Sequence, residues 1–99
     1  VNVISKSGLT DLLKGKPKDV EAEAIAWFHI ARSADWKSFA DVRNTFADAD
    51  MVDGLLVFNI RRNRYRLIVY PVFSRLKLYV KALLTHQEYD KGGWKTKWP

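Results

Sequence analysis

The chain of 99 residues contains no cysteine. That excludes disulfides and every metal site that needs a thiolate, and it fits a reducing cytoplasm. No apolar run approaches the ~20 residues that cross a bilayer, and no charged-then-apolar leader opens the chain. Repeats, low-complexity tracts and linkers are absent, so a single domain over residues 1–99 is expected. Carboxylates are scarce in the second half: after residue 54 only Glu88 and Asp90 occur. A two-metal nuclease draws on a carboxylate-rich site, so that chemistry fares poorly and no metal or cofactor is expected.

What is present is apolar and cationic. A hydrophobic content of 47% with 13% aromatics argues for a folded globule. Residues 1–54 carry 7 Lys+Arg against 9 Asp+Glu, and residues 55–99 carry 10 against 2. A basic half of this kind marks a protein that meets a polyanion, most often nucleic acid. A basic amphipathic helix would point to a membrane instead. None is visible, because the basic residues lie in strand-like segments, and no membrane partner is expected.

The first half reads as a short strand and three helices. Val1-Asn2-Val3-Ile4 suits a strand. Ser7 is a candidate cap for a short helix through Leu9, Leu12 and Leu13, stopped by Gly15 and Pro17. Pro17 suits the first turn of a second helix, in which Val20, Ala24, Trp27, Phe28 and Ala31 follow the spacing of one buried stripe. Asp35 is the expected cap of a third helix with Trp36, Phe39 and Val42 inward, and residues 47–54 look like a polar loop.

From Leu55 the period changes to two. Leu56, Phe58 and Ile60, then Tyr65, Leu67 and Val69, then Leu76, Leu78, Val80 and Ala82 form the alternating apolar set. Three antiparallel strands follow, turning at 61–63 and 74–75, with Pro71 expected at an edge or a bulge. One face must lie under the helices. The other carries Arg66, Lys77, Tyr79 and Lys81 and is expected to be open. Cations there can meet phosphates and aromatics can stack on bases, which suits single-stranded nucleic acid.

Thr85-His86-Gln87-Glu88 has the pattern of a capping box and so opens a last helical turn. On that turn, spacings of three and four put His86, Tyr89 and Asp90 on one face. Two readings of this group stand side by side. It is a surface cap, or it is the acid–base equipment of an RNA-cutting site. A ribose 2′-OH can attack its own phosphorus, so the enzyme needs only a base, an acid and positive charge for the phosphorane. His serves as either near neutral pH, and Tyr serves if cations lower its pKa. The tail Trp94-Lys95-Thr96-Lys97-Trp98 either stacks on nucleic acid or packs through Trp94 on the body.

Phe58-Asn59-Ile60, Asn63-Arg64-Tyr65-Arg66-Leu67-Ile68 and Leu84-Thr85-His86-Gln87-Glu88-Tyr89-Asp90 together resemble the HigB toxins of the RelE-type superfamily. Residues 35–43 and 45–50 are similar to that family too, so the likeness runs from about Val3 to Trp94. The resemblance implies an α+β fold: a small, largely antiparallel sheet with helices on one face and a short C-terminal helical turn. It implies a bacterial, cytoplasmic mRNA interferase acting at the ribosome. It also implies a HigA-type helix-turn-helix antitoxin, with DNA met only through the antitoxin complex. By position, Arg66, Lys81, His86 and Tyr89 match the catalytic set, with Asp90 and Asn63 in support. Arg61, Arg62, Arg64, Lys77, Lys91 and Lys95 are the expected RNA contacts. The hairpin reads Arg61-Arg62-Asn63 where relatives often have glycines, and the 74–75 turn lacks glycine as well. The competing function is a basic RNA-binding module that does not cut.

Overall fold

A computed structural model describes residues 2–4 and 8–96. Val1 of the expected first strand, the expected cap Ser7, and Lys97 and Trp98 of the tail lie outside the described residues. The chain runs β1 (Asn2–Ile4), α1 (Gly8–Leu13), α2 (Lys18–Ser33), α3 (Phe39–Thr45), β2 (Asp50–Val52), β3 (Leu55–Ile60), β4 (Tyr65–Val72), β5 (Lys77–Thr85) and α4 (His86–Lys91). A 3-10 turn, Phe73–Arg75, links β4 to β5, and another, Gly93–Thr96, follows α4. The sheet order is β1-β5-β4-β3-β2, antiparallel except for β1, which pairs parallel with β5. This is the expected α+β architecture.

The helices cover one face. Val20, Ala24, Trp27 and Ala31 of α2 and Val42 of α3 are buried against Leu56, Phe58, Ile60, Leu67, Val69, Leu78 and Val80 of the sheet. Phe58 sits at the centre, with ring centroids of Trp27, Phe46 and Trp36 at 5.2, 5.5 and 6.1 Å. Contacts of this kind add about 0.5–1.5 kcal/mol each beyond burial. Among the described residues no helix is long and apolar enough to cross a membrane.

Four details differ from the sequence expectation. Asp35 does not cap α3; Ser38 does, its hydroxyl accepting from the Asp41 N–H at 3.3 Å. Residues 47–54 are not all loop, because Asp50–Val52 form an edge strand against β3. Lys81 has no partner on β4, where Ile68 faces Ala82 and Val69 faces Val80. This extra residue is a bulge, and a one-residue slip exchanges the two faces of a strand. Leu83 therefore enters the helix-side core, and Ala82 joins the opposite face. Finally, Leu76 lies before β5 rather than in it, left-handed and 40% exposed, whereas Pro71 takes the expected edge position. It is tolerated in β4 because the register with β3 ends at Val69, leaving it a cross-strand partner only in Leu78.

Candidate active site

The face away from α1, α2 and α3 is not bare. Leu55, Val57, Ile68 and Ala82 are buried there under Trp94, which is itself 3% exposed. Trp94 thus packs on the body, and the expected open surface is divided. Arg66 lies on the α4 side of Trp94. Tyr70 and Tyr79, paired across β4 and β5, lie on this face roughly 13 Å further along β4.

At the α4 end, local chemistry sets the geometry. The Thr85 hydroxyl accepts from the Glu88 N–H at 3.1 Å, and the Glu88 carboxylate accepts from the Thr85 N–H at 2.8 Å. The capping box is complete, and Gly92 ends the helix in a left-handed conformation. The Thr85 N–H holds the Glu88 carboxyl below the usual carboxylate range. The His86 N–H donates to the Arg64 carbonyl at 3.0 Å, which ties α4 to the start of β4.

From this anchored turn His86 and Asp90 project together, imidazole Nε2 lying 3.1 Å from the carboxylate, both side chains more than half exposed. Tyr89, one turn along from His86, lays its ring over the Arg66 guanidinium, 5.2 Å from carbon to centroid. Its other contact is Trp94, stacked at 5.1 Å and 20°. Burial, then the Asp50 carboxylate, pushes the Tyr89 phenol above its ordinary range; Arg66 opposes this without overcoming it. The condition set from the sequence, that cations lower this pKa, is therefore not met. Tyr89 stays protonated near neutrality and is equipped to donate.

The structure thus gathers Arg66, His86, Tyr89 and Asp90 around α4. Lys81, the bulged residue, leans over the Tyr79 ring at 5.7 Å. Lys77 pairs with Val72 at the far end of β5, roughly 20 Å along the strand from the Arg66 partner Leu84. Arg61 and Arg64 turn toward α2: Asp19 takes both, at 3.2 Å each, and the Arg61 N–H donates to Glu23 at 2.7 Å. Arg62 and Asn63 are exposed in the hairpin, Lys91 closes α4, and Lys95 sits over the Trp94 ring at 5.8 Å. Two contributors were not visible in the sequence. Asp50 reaches Tyr89 only because β2 pairs beside β3, and Trp94 reaches it only through the turn at Gly92.

A family model described as HigB toxin, the RelE-like toxic component of a toxin-antitoxin system, matches residues 20–92. The chain is also similar to the mRNA interferase toxin HigB of Escherichia coli strain K12, 25% identical over 93 residues, covering 91% of this chain and 88% of that one. The mRNA interferase HigB of Shigella flexneri matches to the same extent. That of Escherichia coli O6:H1 is 24% identical over 94 residues, covering 92% and 90%. With most of its length inside the family match, on the fold and the polar C-terminal turn described above, the chain belongs to the HigB toxin family, the RelE-like toxic components of toxin-antitoxin systems.

Proposed function

We propose that the chain is an mRNA interferase that cuts ribosome-associated message without a metal, through attack of a ribose 2′-OH. The observation that carries this is the joint placement of Arg66, Tyr89, His86 and Asp90 around α4. The guanidinium of Arg66 holds the scissile phosphate. His86, its Nε2 engaged by Asp90, takes the 2′-OH proton at Nδ1. The 2′ oxygen bonds to phosphorus, the bond to the 5′ oxygen breaks, and Tyr89 donates the proton that oxygen needs. Products are a 2′,3′-cyclic phosphate and a 5′-hydroxyl. The raised phenol pKa keeps Tyr89 protonated, the state a donor starts from, which leaves the acceptor role to His86. Lys81 acts at longer range, lowering the cost of the phosphorane charge.

Arg62, Lys77, Lys91 and Lys95 line the path of the flanking backbone, with Arg61 and Arg64 in a supporting ring around the hairpin and Asn63 at its tip. A HigA-type antitoxin in the bacterial cytoplasm is the partner that restrains this activity, and DNA is met only through that complex. A binding module without cleavage is the second reading; it rests on the same cations and demotes the α4 cluster to the complete capping box of Thr85 and Glu88. Tight-promoter expression of wild type, His86→Ala and Arg66→Ala decides between them. Growth arrest by wild type alone supports cleavage; equal arrest by all three, at equal protein levels, removes the catalytic assignment.

A further inference from the structure

We propose that Trp94 is a positioning residue of the cleavage reaction, fixing the Tyr89 ring against Arg66 from a seat on the sheet. Three contacts converge on this role. The indole is 3% exposed and buried among Leu55, Val57, Ile68 and Ala82, so it cannot move without vacating an apolar pocket. Its Nε1–H donates to the Tyr89 carbonyl at 2.9 Å, which fixes the backbone of α4 where Tyr89 sits. Its ring stacks on the phenol ring at 5.1 Å, and the same phenol ring lies 5.2 Å from the Arg66 guanidinium carbon. Tyr89 thus links the buried Trp94 to the cationic Arg66 through two ring contacts.

The sequence offers a physical reason for the arrangement. α4 has six residues, too few to hold a side chain rigidly by helical hydrogen bonding alone. The left-handed Gly92 turns the chain back, so that Trp94 lands under Tyr89 rather than trailing into solvent. Without the indole the phenol gains rotamer freedom and water, and Arg66 loses the ring that covers it.

The role of Trp94 rests on the assignment of Tyr89 proposed above, and the test separates the two. Cleavage of a defined message on translating ribosomes is compared for wild type, Trp94→Phe, Trp94→Ala, Tyr89→Phe and the double variant Trp94→Ala/Tyr89→Phe. Trp94→Ala lowers kcat by on the order of 10- to 100-fold with a smaller change in KM, as displacement of a reacting group does. Trp94→Phe, which keeps a ring on Tyr89, restores most of the rate. In the Tyr89→Phe background, Trp94→Ala adds little, because the proton donor is already gone.

An absorbance titration of the phenols, taken as the difference from Tyr89→Phe, reads the same packing without RNA. The groups facing this phenol are Asp50 on β2, Arg66 on β4 and Asp90 on α4. With them unchanged, Trp94→Ala lets water in and moves the Tyr89 titration down in pH. Circular dichroism confirms the fold. If Trp94→Ala unfolds, Trp94→Leu, which fills the seat without a ring, takes its place with the same expectations. Losses that multiply in the double variant, or an unmoved phenol titration, overturn the proposal. If Tyr89→Phe cleaves at the wild-type rate, Tyr89 is not the donor, and any loss in Trp94→Ala then runs through the fold alone, which also overturns it.

Discussion

His86 is exposed, so replacing it opens no cavity and leaves the core untouched. Its loss is therefore chemical: His86→Ala lowers cleavage by about 10²–10⁴-fold, the usual worth of one acid–base group, with an unchanged thermal midpoint. Single-turnover cleavage rates and a melting curve check both halves. A capping His86 predicts the reverse, yet the capping itself resides in Thr85 and Glu88. At this scale the sequence is legible where partners are close along the chain. The four-residue capping pattern and the His86–Asp90 spacing both stand as expected. It misleads where two caps compete. Asp35 and Ser38 both precede the same helix, and only the backbone geometry selects Ser38, while Asp41 is drawn back to the Lys37 N–H at 2.9 Å. The phenol of Tyr89 is the clearest case of a property no local pattern carries. Arg66 favours a lowered pKa, but burial and the Asp50 carboxylate on the edge strand outweigh it.

Among the elements, α4 and the β3–β4 hairpin are the two whose stability bears on the site. Thr85→Ala removes one half of the capping box and costs about 1 kcal/mol, within a usual range of 0.5–2. Urea denaturation measures that loss. The carboxylate of Glu88 is held below its ordinary pKa in the folded chain. A depressed carboxylate stabilises the fold above the unfolded pKa, and this contribution disappears as pH falls through the folded pKa. Acid melting should thus be steeper for wild type than for Glu88→Gln below the ordinary carboxylate range, and equal slopes there would refute it.

In the hairpin, Arg61 and Arg62 both have φ above +50°, a conformation costly for residues with a Cβ. Arg61 is compensated by Glu23 and Asp19, while Arg62 has no ion pair among the described residues. Arg62→Gly therefore keeps or raises the thermal midpoint while weakening RNA binding. A lower midpoint would show that Arg62 is structural. The bulge at Lys81 and the strand Asp50–Val52 were not legible, for a common reason. A three-residue edge strand is too short to show alternation, and an inserted residue within an apolar run leaves the composition unchanged while reversing the faces.

Across the whole molecule, charge and aromatic packing divide the work. The helix-side core is held by rings around Phe58, and period-two and helical spacing exposed nearly all of it in the sequence, since those periods are set by backbone geometry. Parity alone predicts an open second face, because it places Arg66, Lys77, Tyr79 and Lys81 there. The chain's return through Gly92, which lays Trp94 over its middle, is a long-range event. The cations that remain accessible lie around the rim rather than across a flat sheet. If about six phosphates are met there, log affinity for single-stranded RNA falls with log salt at a slope of about −4, at ~−0.7 per contact. Removing Lys77 and Lys81 together should flatten the slope by roughly 1.4. An unchanged slope would place the RNA elsewhere.

The proposed reaction is a transesterification in which the RNA supplies its own nucleophile and the protein supplies Arg66, His86 and Tyr89. The ends of the cut message test it most directly. Sequencing and phosphatase sensitivity of products from translating ribosomes should show 2′,3′-cyclic or 3′-phosphate ends opposite 5′-hydroxyls, and a single 2′-deoxy sugar at the cut site should block cleavage there. Products with 3′-hydroxyl and 5′-phosphate ends, or cleavage that persists at the 2′-deoxy position, would contradict the account.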